Sequence, residues 1–285
     1  MTTGAVDLKP TQIANKIDRE YGRQRSEQEN TMVTVDETQT PRVAVVAGGA
    51  GGLGRAVCRR LVADGWAVGV FDIDADATAA TVTELCELGG QASGYPGDLT
   101  DREFVAGAAR DITEQFEAPT ALVTLAGAVR NAVLSKITDE DFSLVLDTHL
   151  RSTLLCLQIF APAMKKAGHG KVVTTSSVAA RGTVAGISYG AAKGGIEALT
   201  RSAAIELAPF GVTVNCVAPG VVATGMFLNT PEEFRDAQLA SIPMKRAAEP
   251  DEIADCVSFL TSPESSYVTG QTLTVCGGLS VGPLK

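Results

Sequence analysis

The stretch VAVVAGGAGGLGRAV, residues 43–57, sets five glycines within seven positions directly behind an apolar run. Between a strand and a helix such density has a physical use. Glycine permits backbone angles closed to other residues, and its missing side chain lets a phosphate approach a helix N-terminus. Two registers fit: Gly49, Gly51 and Gly54 match G-x-G-x-x-G, while Gly48, Gly52 and Gly54 match G-x-x-x-G-x-G. Glycine content does not choose between them, nor between dinucleotide binding and a tight turn with close helix packing. The surroundings favour binding. Leu53, Val57 and Leu61 share the apolar face of the next helix, Gly65 ends it, and Asp72 closes the following strand in VGVFDID. Asp72 stands 18 residues after Gly54, close to the roughly 20-residue spacing of a carboxylate that accepts hydrogen bonds from an adenosine ribose. A carboxylate there repels a 2′-phosphate, so NAD is the expected cofactor rather than NADP.

Outward from this stretch, short β-branched runs alternate with amphipathic segments. Residues 43–46, 67–71, 122–125, 172–175, 212–217 and 272–275 read as buried strands, with 91–95 a weaker candidate. The alternation predicts an α/β fold: a Rossmann-like, doubly wound parallel sheet of about seven strands with helices on both faces, in a single domain. That domain is expected over residues 41–285. Residues 1–40 are polar and mixed in charge, and read as a flexible extension, although Ile13, Ile17 and Tyr21 recur at helical spacing.

Composition excludes several classes. A formal net charge of -9 argues against a nucleic-acid partner. Six scattered cysteines without a CxxC pair or a histidine cluster suggest neither disulfides nor a metal site, and place the chain in the cytoplasm. No apolar stretch approaches the roughly 20 residues that a membrane helix needs, so no membrane partner is expected.

The chemistry concentrates in SYGAAKGG. Tyr189 and Lys193 are four residues apart, which on a helix puts both on one face. An ammonium beside a phenol stabilises phenolate and is expected to lower its pKa toward a range useful for exchanging protons with an alcohol or ketone. Upstream, KVVTTSSVAA ends a strand with Ser176 and Ser177, hydroxyls suited to hold a substrate oxygen.

Taken together, these motifs resemble the short-chain dehydrogenase/reductase family from Arg42 to Gly278. AGGAGGLG is similar to the family's TGxxxGxG loop, GDLTD to its adenine-flanking segment, YGAAK to YxxxK, and NCVAPGVVAT to its nicotinamide-side segment. The resemblance implies that Gly48, Gly51, Gly52, Leu53, Gly54, Asp72, Ile73, Asp98, Leu99, Ala126, Gly127, Pro219, Gly220, Val222 and Thr224 border the cofactor, together with Tyr189 and Lys193. Tyr189 would be general acid and base, Lys193 would contact the nicotinamide ribose, and Ser177 would orient the substrate oxygen. A homo-oligomer, commonly a tetramer joined through helices at 144–166 and 189–207, is also implied.

There are departures. TLAG replaces the family's NNAG with Thr124 and Leu125, and DTHLRST places His149 where the family usually has a catalytic asparagine. His149 is either a member of the proton relay or a buried histidine satisfied by a carbonyl. The interval between the serines and Tyr189 leaves Ser176 and Ser177 both open. By the resemblance, Met226, Phe227 and Leu228 lie toward the family's substrate lid, which implies a largely apolar small-molecule alcohol or ketone substrate, the alternative being that they serve packing. Two rival readings remain: an NADPH-dependent reductase of the 3-oxoacyl carrier-protein type, suggested by AGAVRNAVL with Arg130, and a non-catalytic NAD-binding sensor or assembly protein.

Overall fold

Val43, Val45 and Val46 are wholly buried, as are Ala44 and, nearly so, Ala47, because the strand they form lies in the middle of the sheet with both faces covered. The computed structural model describes residues 42–282. The expected N-terminal extension and its alternative helix lie outside the described residues. Seven parallel strands run β1 Arg42–Ala47, β2 Trp66–Asp72, β3 Ala92–Pro96, β4 Ala121–Thr124, β5 Gly170–Thr175, β6 Val212–Pro219 and β7 Thr272–Val275. Their spatial order is β3-β2-β1-β4-β5-β6-β7. The order reverses between β1 and β4, and the crevice beyond the carboxyl ends of those two strands is where such sheets bind ligands. The strand expected at 91–95 is β3, and Leu125, expected as strand, lies just past β4 and opens the loop that lines this crevice.

Side chains alternate across the sheet. Ala44, Val46, Val68, Val70 and Val123 join a core shared with α1 (Gly52–Ala63) and a helix at Pro250–Thr261, through Val57, Leu61, Val257 and Leu260. On the opposite side Phe71 stacks against Phe104 of the helix Arg102–Gln115 and Phe160 of a longer helix, at centroid distances of 6.5 and 6.0 Å. That longer helix is continuous over Asp139–Ala167. Thr138 caps it by accepting a hydrogen bond from the Asp141 N–H, three carboxylates in its first turn face the positive end of its dipole, and Gly168 ends it at φ 74°. By length and composition it is long and apolar enough to cross a bilayer, contrary to the expectation that no apolar stretch approaches that length. Half of its apolar window is buried within the domain, and packing against the sheet accounts for that hydropathy.

Candidate active site at the carboxyl end of the sheet

The glycine loop is shaped by three contacts. Gly48 has φ +82°, and a Cβ there would stand 2.5 Å from the Ala126 nitrogen; a Cβ at Gly54 would stand 2.0 Å from the Gly48 oxygen. A Cβ at Gly52 would press on Thr224 at 3.2 Å, whereas one at Gly51 meets nothing closer than 3.9 Å. Gly48 and Gly54 therefore let the loop fold back on itself. Packing within the protein does not require glycine at 51, which borders the open cleft. The loop is anchored by Gly48 N–H and Gly49 N–H, both donating to the Phe71 carbonyl, and by Ala50 N–H donating to Asp72 Oδ2 at 3.0 Å.

Behind it opens a cleft of about 440 Å3 lined by Gly48, Gly51, Asp72, Ile73, Asp98, Leu99, Ala126 and Gly127 among the residues expected there. Others lie around it. Leu53 packs its side chain on the core, Pro219 ends β6, and Gly220, Val222 and Thr224 follow it, where Thr224 faces the first turn of α1 through Gly52. Val222 pairs with Ala248, which holds that loop in place. Arg130, Leu144, Thr148 and Ser152 also line the cleft. Only Arg130 carried a signal in the sequence; the other three come from a helix distant in the chain. Thr124, one of the departures, is buried and takes a hydrogen bond from Thr153 at 3.3 Å, tying β4 to the long helix.

The groups of this cleft fit a nicotinamide dinucleotide. No side chain caps the N-terminus of α1 and no acid stands in its first turn, so its free N–H groups suit a pyrophosphate. Arg55 and Arg59, basic residues of α1, are both engaged by Glu84.

Tyr189 and Lys193, expected to border the cofactor, do not line this cleft; they project from the helix Ile187–Leu207 toward the end of β5. Ser177 stands beside the phenol, and its hydroxyl also accepts from the Ala179 N–H at 3.2 Å. Ser176 is turned away and buried, its hydroxyl donating to Glu197 Oε1 at 2.8 Å. The open choice between the serines is thus resolved by position: Ser177 is the one beside Tyr189. His149 is buried at the centre of a π-helical turn, Asp147–Arg151, within the long helix. Its ring meets Tyr189 edge-on at 5.2 Å between centroids.

The electrostatics differ from expectation. Burial raises the Tyr189 phenol above its ordinary value, with the Ser177 hydrogen bond opposing. Burial also lowers Lys193 to about 8, while its Nζ donates to the Thr175 carbonyl at 2.7 Å and lies 5.5 Å from the Tyr189 ring centroid. Desolvation thus disfavours both charged forms. A stability consequence follows. Between about 8 and the ordinary 10.5 the folded chain binds fewer protons at Lys193 than the unfolded chain, so this residue makes stability rise with pH through that window. Lys193→Met is expected to raise stability at pH 7 by about 1–3 kcal/mol and to flatten that rise, as read by thermal denaturation at pH 7 and pH 10. A lower melting temperature at pH 7 would contradict it.

The family model described as Enoyl-(Acyl carrier protein) reductase matches residues 48–280. The chain belongs to the short-chain dehydrogenases/reductases. This short-chain dehydrogenase/reductase is 37% identical over 240 residues to the (2S)-[(R)-hydroxy(phenyl)methyl]succinyl-CoA dehydrogenase subunit BbsD of Thauera aromatica, covering 84% of this chain and 97% of the relative. It is 34% identical over 251 residues to the (3R)-3-hydroxyacyl-CoA dehydrogenase of Rattus norvegicus, covering 83% and 95%. Among solved structures it is similar to a 3-oxoacyl-[acyl-carrier protein] reductase with bound NAD from Brucella melitensis, with TM-score 0.79, 32% identity and coverage of 88% and 97%. The chain is thus an oxidoreductase of a family that uses nicotinamide cofactors.

Proposed function

We propose that this short-chain dehydrogenase/reductase transfers a hydride between NAD(H) and a secondary alcohol or its ketone, with Tyr189 as general acid and base. One observation carries the reading: Ser177, Tyr189 and Lys193 converge at the end of β5, and His149 links Tyr189 to Gly127 in the wall of the cleft that Asp72 also lines. A nicotinamide cofactor, when bound, supplies the hydride chemistry. Ser177 orients the substrate oxygen, and Tyr189 gives or takes its proton. Lys193 serves the cofactor ribose and biases the phenol. The α1 N-terminus takes the pyrophosphate, with Asp98 and Leu99 beside the adenine and Pro219, Gly220, Val222 and Thr224 beside the nicotinamide.

The preferred substrates are hydroxyacyl thioesters with an apolar acyl part. Both relatives named above act on CoA thioesters by their names, and Val184, Leu228, Phe234 and Met244 are exposed in loops and short helices after the strands. The side chain of Met226 lies outside the described residues. A panel of secondary alcohols, ketones and hydroxyacyl thioesters, run with NADH or NADPH and with NAD or NADP, tests the reading. Turnover with NADPH alone would favour the carrier-protein reductase type that Arg130 suggests. Tight NADH binding without any turnover would favour a sensor.

Asp72 supplies the cofactor test. Its Oδ2 accepts from Ala50 N–H, and an asparagine oxygen keeps that bond while removing the charge. Asp72→Asn is expected to narrow the preference for NADH over NADPH by about tenfold with the loop intact, measured by fluorescence titration. Unchanged selectivity would refute the charge argument.

A further inference from the structure

We propose that His149 is a positioning residue: its imidazole takes the volume left by Gly127 and holds the cleft wall at residues 126–128 against Tyr189. The inference rests on the hydride-transfer reading above and deepens it.

A Cβ built on Gly127 would lie 1.7 Å from His149 Cε1, 2.0 Å from Nδ1 and 2.3 Å from Nε2. The ring therefore lies directly on the glycine, and no other residue at 127 leaves it room. His149 Nε2 stands 2.9 Å from the Ala128 carbonyl oxygen. A carbonyl only accepts, so Nε2 carries the proton. The preceding residue completes the grip, because Ala128 N–H donates to Thr148 Oγ1 at 3.2 Å. Two consecutive residues of one helix thus hold both polar groups of a single residue across the cleft, and the π-helical turn is the local widening from which they do so. At its other end the same wall is tied to β1, where Leu125 N–H and Ala126 N–H both donate to the Ala47 carbonyl at 2.7 and 3.0 Å. The same imidazole meets Tyr189, with 5.2 Å between ring centroids. One ring thereby sets the distance between the cofactor side of the site and its phenol.

The ring is not a proton carrier. Tyr189 and Lys193 face it from the neighbouring helix, and Asp147 and Arg151 on its own element pair with each other. Burial, and then the Lys193 charge, lower His149 to about 3 against the opposing Ala128 and Ala126 carbonyls, so it stays neutral at working pH. Its Nδ1 is buried without a hydrogen-bond partner, a feature that a purely space-filling phenyl ring would lack.

Two variants separate positioning from packing. His149→Phe fills the volume and cannot donate to Ala128, whereas His149→Gln offers an amide N–H near the position of Nε2. Affinity for NADH or NADPH, whichever the wild type binds more tightly, is read by fluorescence, and turnover on the best substrate of the panel. His149→Phe is expected to weaken cofactor binding by about tenfold and lower kcat by about 100-fold, with substrate KM little changed. His149→Gln is expected to restore both to within about threefold of wild type. If His149→Phe does not fold, His149→Ala combined with Gly127→Ala puts a methyl into the vacated volume; there, stability is expected to return while cofactor affinity stays depressed. Wild-type affinity and kcat in His149→Phe, or in that double variant, would overturn the proposal. So would a wild-type ionisation between pH 5 and 8 in kcat/KM that disappears in His149→Gln. Cofactor affinity needs no substrate, so an absence of turnover in every protein, wild type included, would count against the hydride-transfer reading and leave this measurement standing.

Discussion

Tyr189→Phe lowers turnover by about a thousandfold or more and leaves cofactor affinity within about twofold. The substitution keeps the ring that His149 packs against and removes only the hydroxyl beside Ser177. Burial holds the phenol above its ordinary pKa, so Tyr189 enters ketone reduction already protonated, as an acid. Alcohol oxidation instead needs a base, and burial opposes forming the phenolate. Oxidation by the wild type is therefore expected to accelerate with pH through the alkaline range while reduction does not, and the Phe variant should lose both. Steady-state rates in each direction from pH 6 to pH 10 provide the check. Near-normal turnover in the variant would remove Tyr189 from the mechanism.

Gly54→Ala has the largest expected effect on stability. The new methyl would sit 2.0 Å from the Gly48 oxygen and 2.8 Å from two backbone atoms of Gly49. Those atoms are main chain and have little freedom to move. Gly48 is itself at φ +82° and within van der Waals contact of the backbone after β4, so the loop cannot retreat. We expect a loss of about 3 kcal/mol or more, corresponding to a melting temperature lower by about 10 °C, together with loss of cofactor binding. Gly51→Ala is the contrast. Its methyl meets only the Gly48 oxygen at 3.9 Å and points to open space at the cleft, so it should spare the fold and weaken the cofactor alone. Calorimetry on the two variants, with fluorescence titration, separates the cases, and equal melting temperatures would show that the loop is softer than this packing implies.

The sheet was legible in the chain because its signals are local. Runs such as residues 43–47 are apolar without alternation, which only a strand covered on both faces requires, and the turn behind them announces itself through glycine. Likewise the four-residue spacing of Tyr189 and Lys193 needs nothing more than helix geometry to bring them to one face. Other features depend on what lies across space. That Gly48 is compulsory follows from the backbone of residues 125 and 126, distant in the chain, and that Gly54 is follows from the way the loop folds back on Gly48 and Gly49. Ser177 rather than Ser176 reaches Tyr189 because Glu197 takes the other hydroxyl, a partner that no spacing rule names. The expected fall in the tyrosine pKa was reversed for the same reason: adjacency to a cation can be read from a sequence, but the desolvation that outweighs it depends on how completely the surrounding elements exclude water. His149 shows the division most clearly. Its identity as a departure was visible in DTHLRST, whereas its seat on Gly127 exists only after β4, the long helix and the Tyr189 helix have packed together.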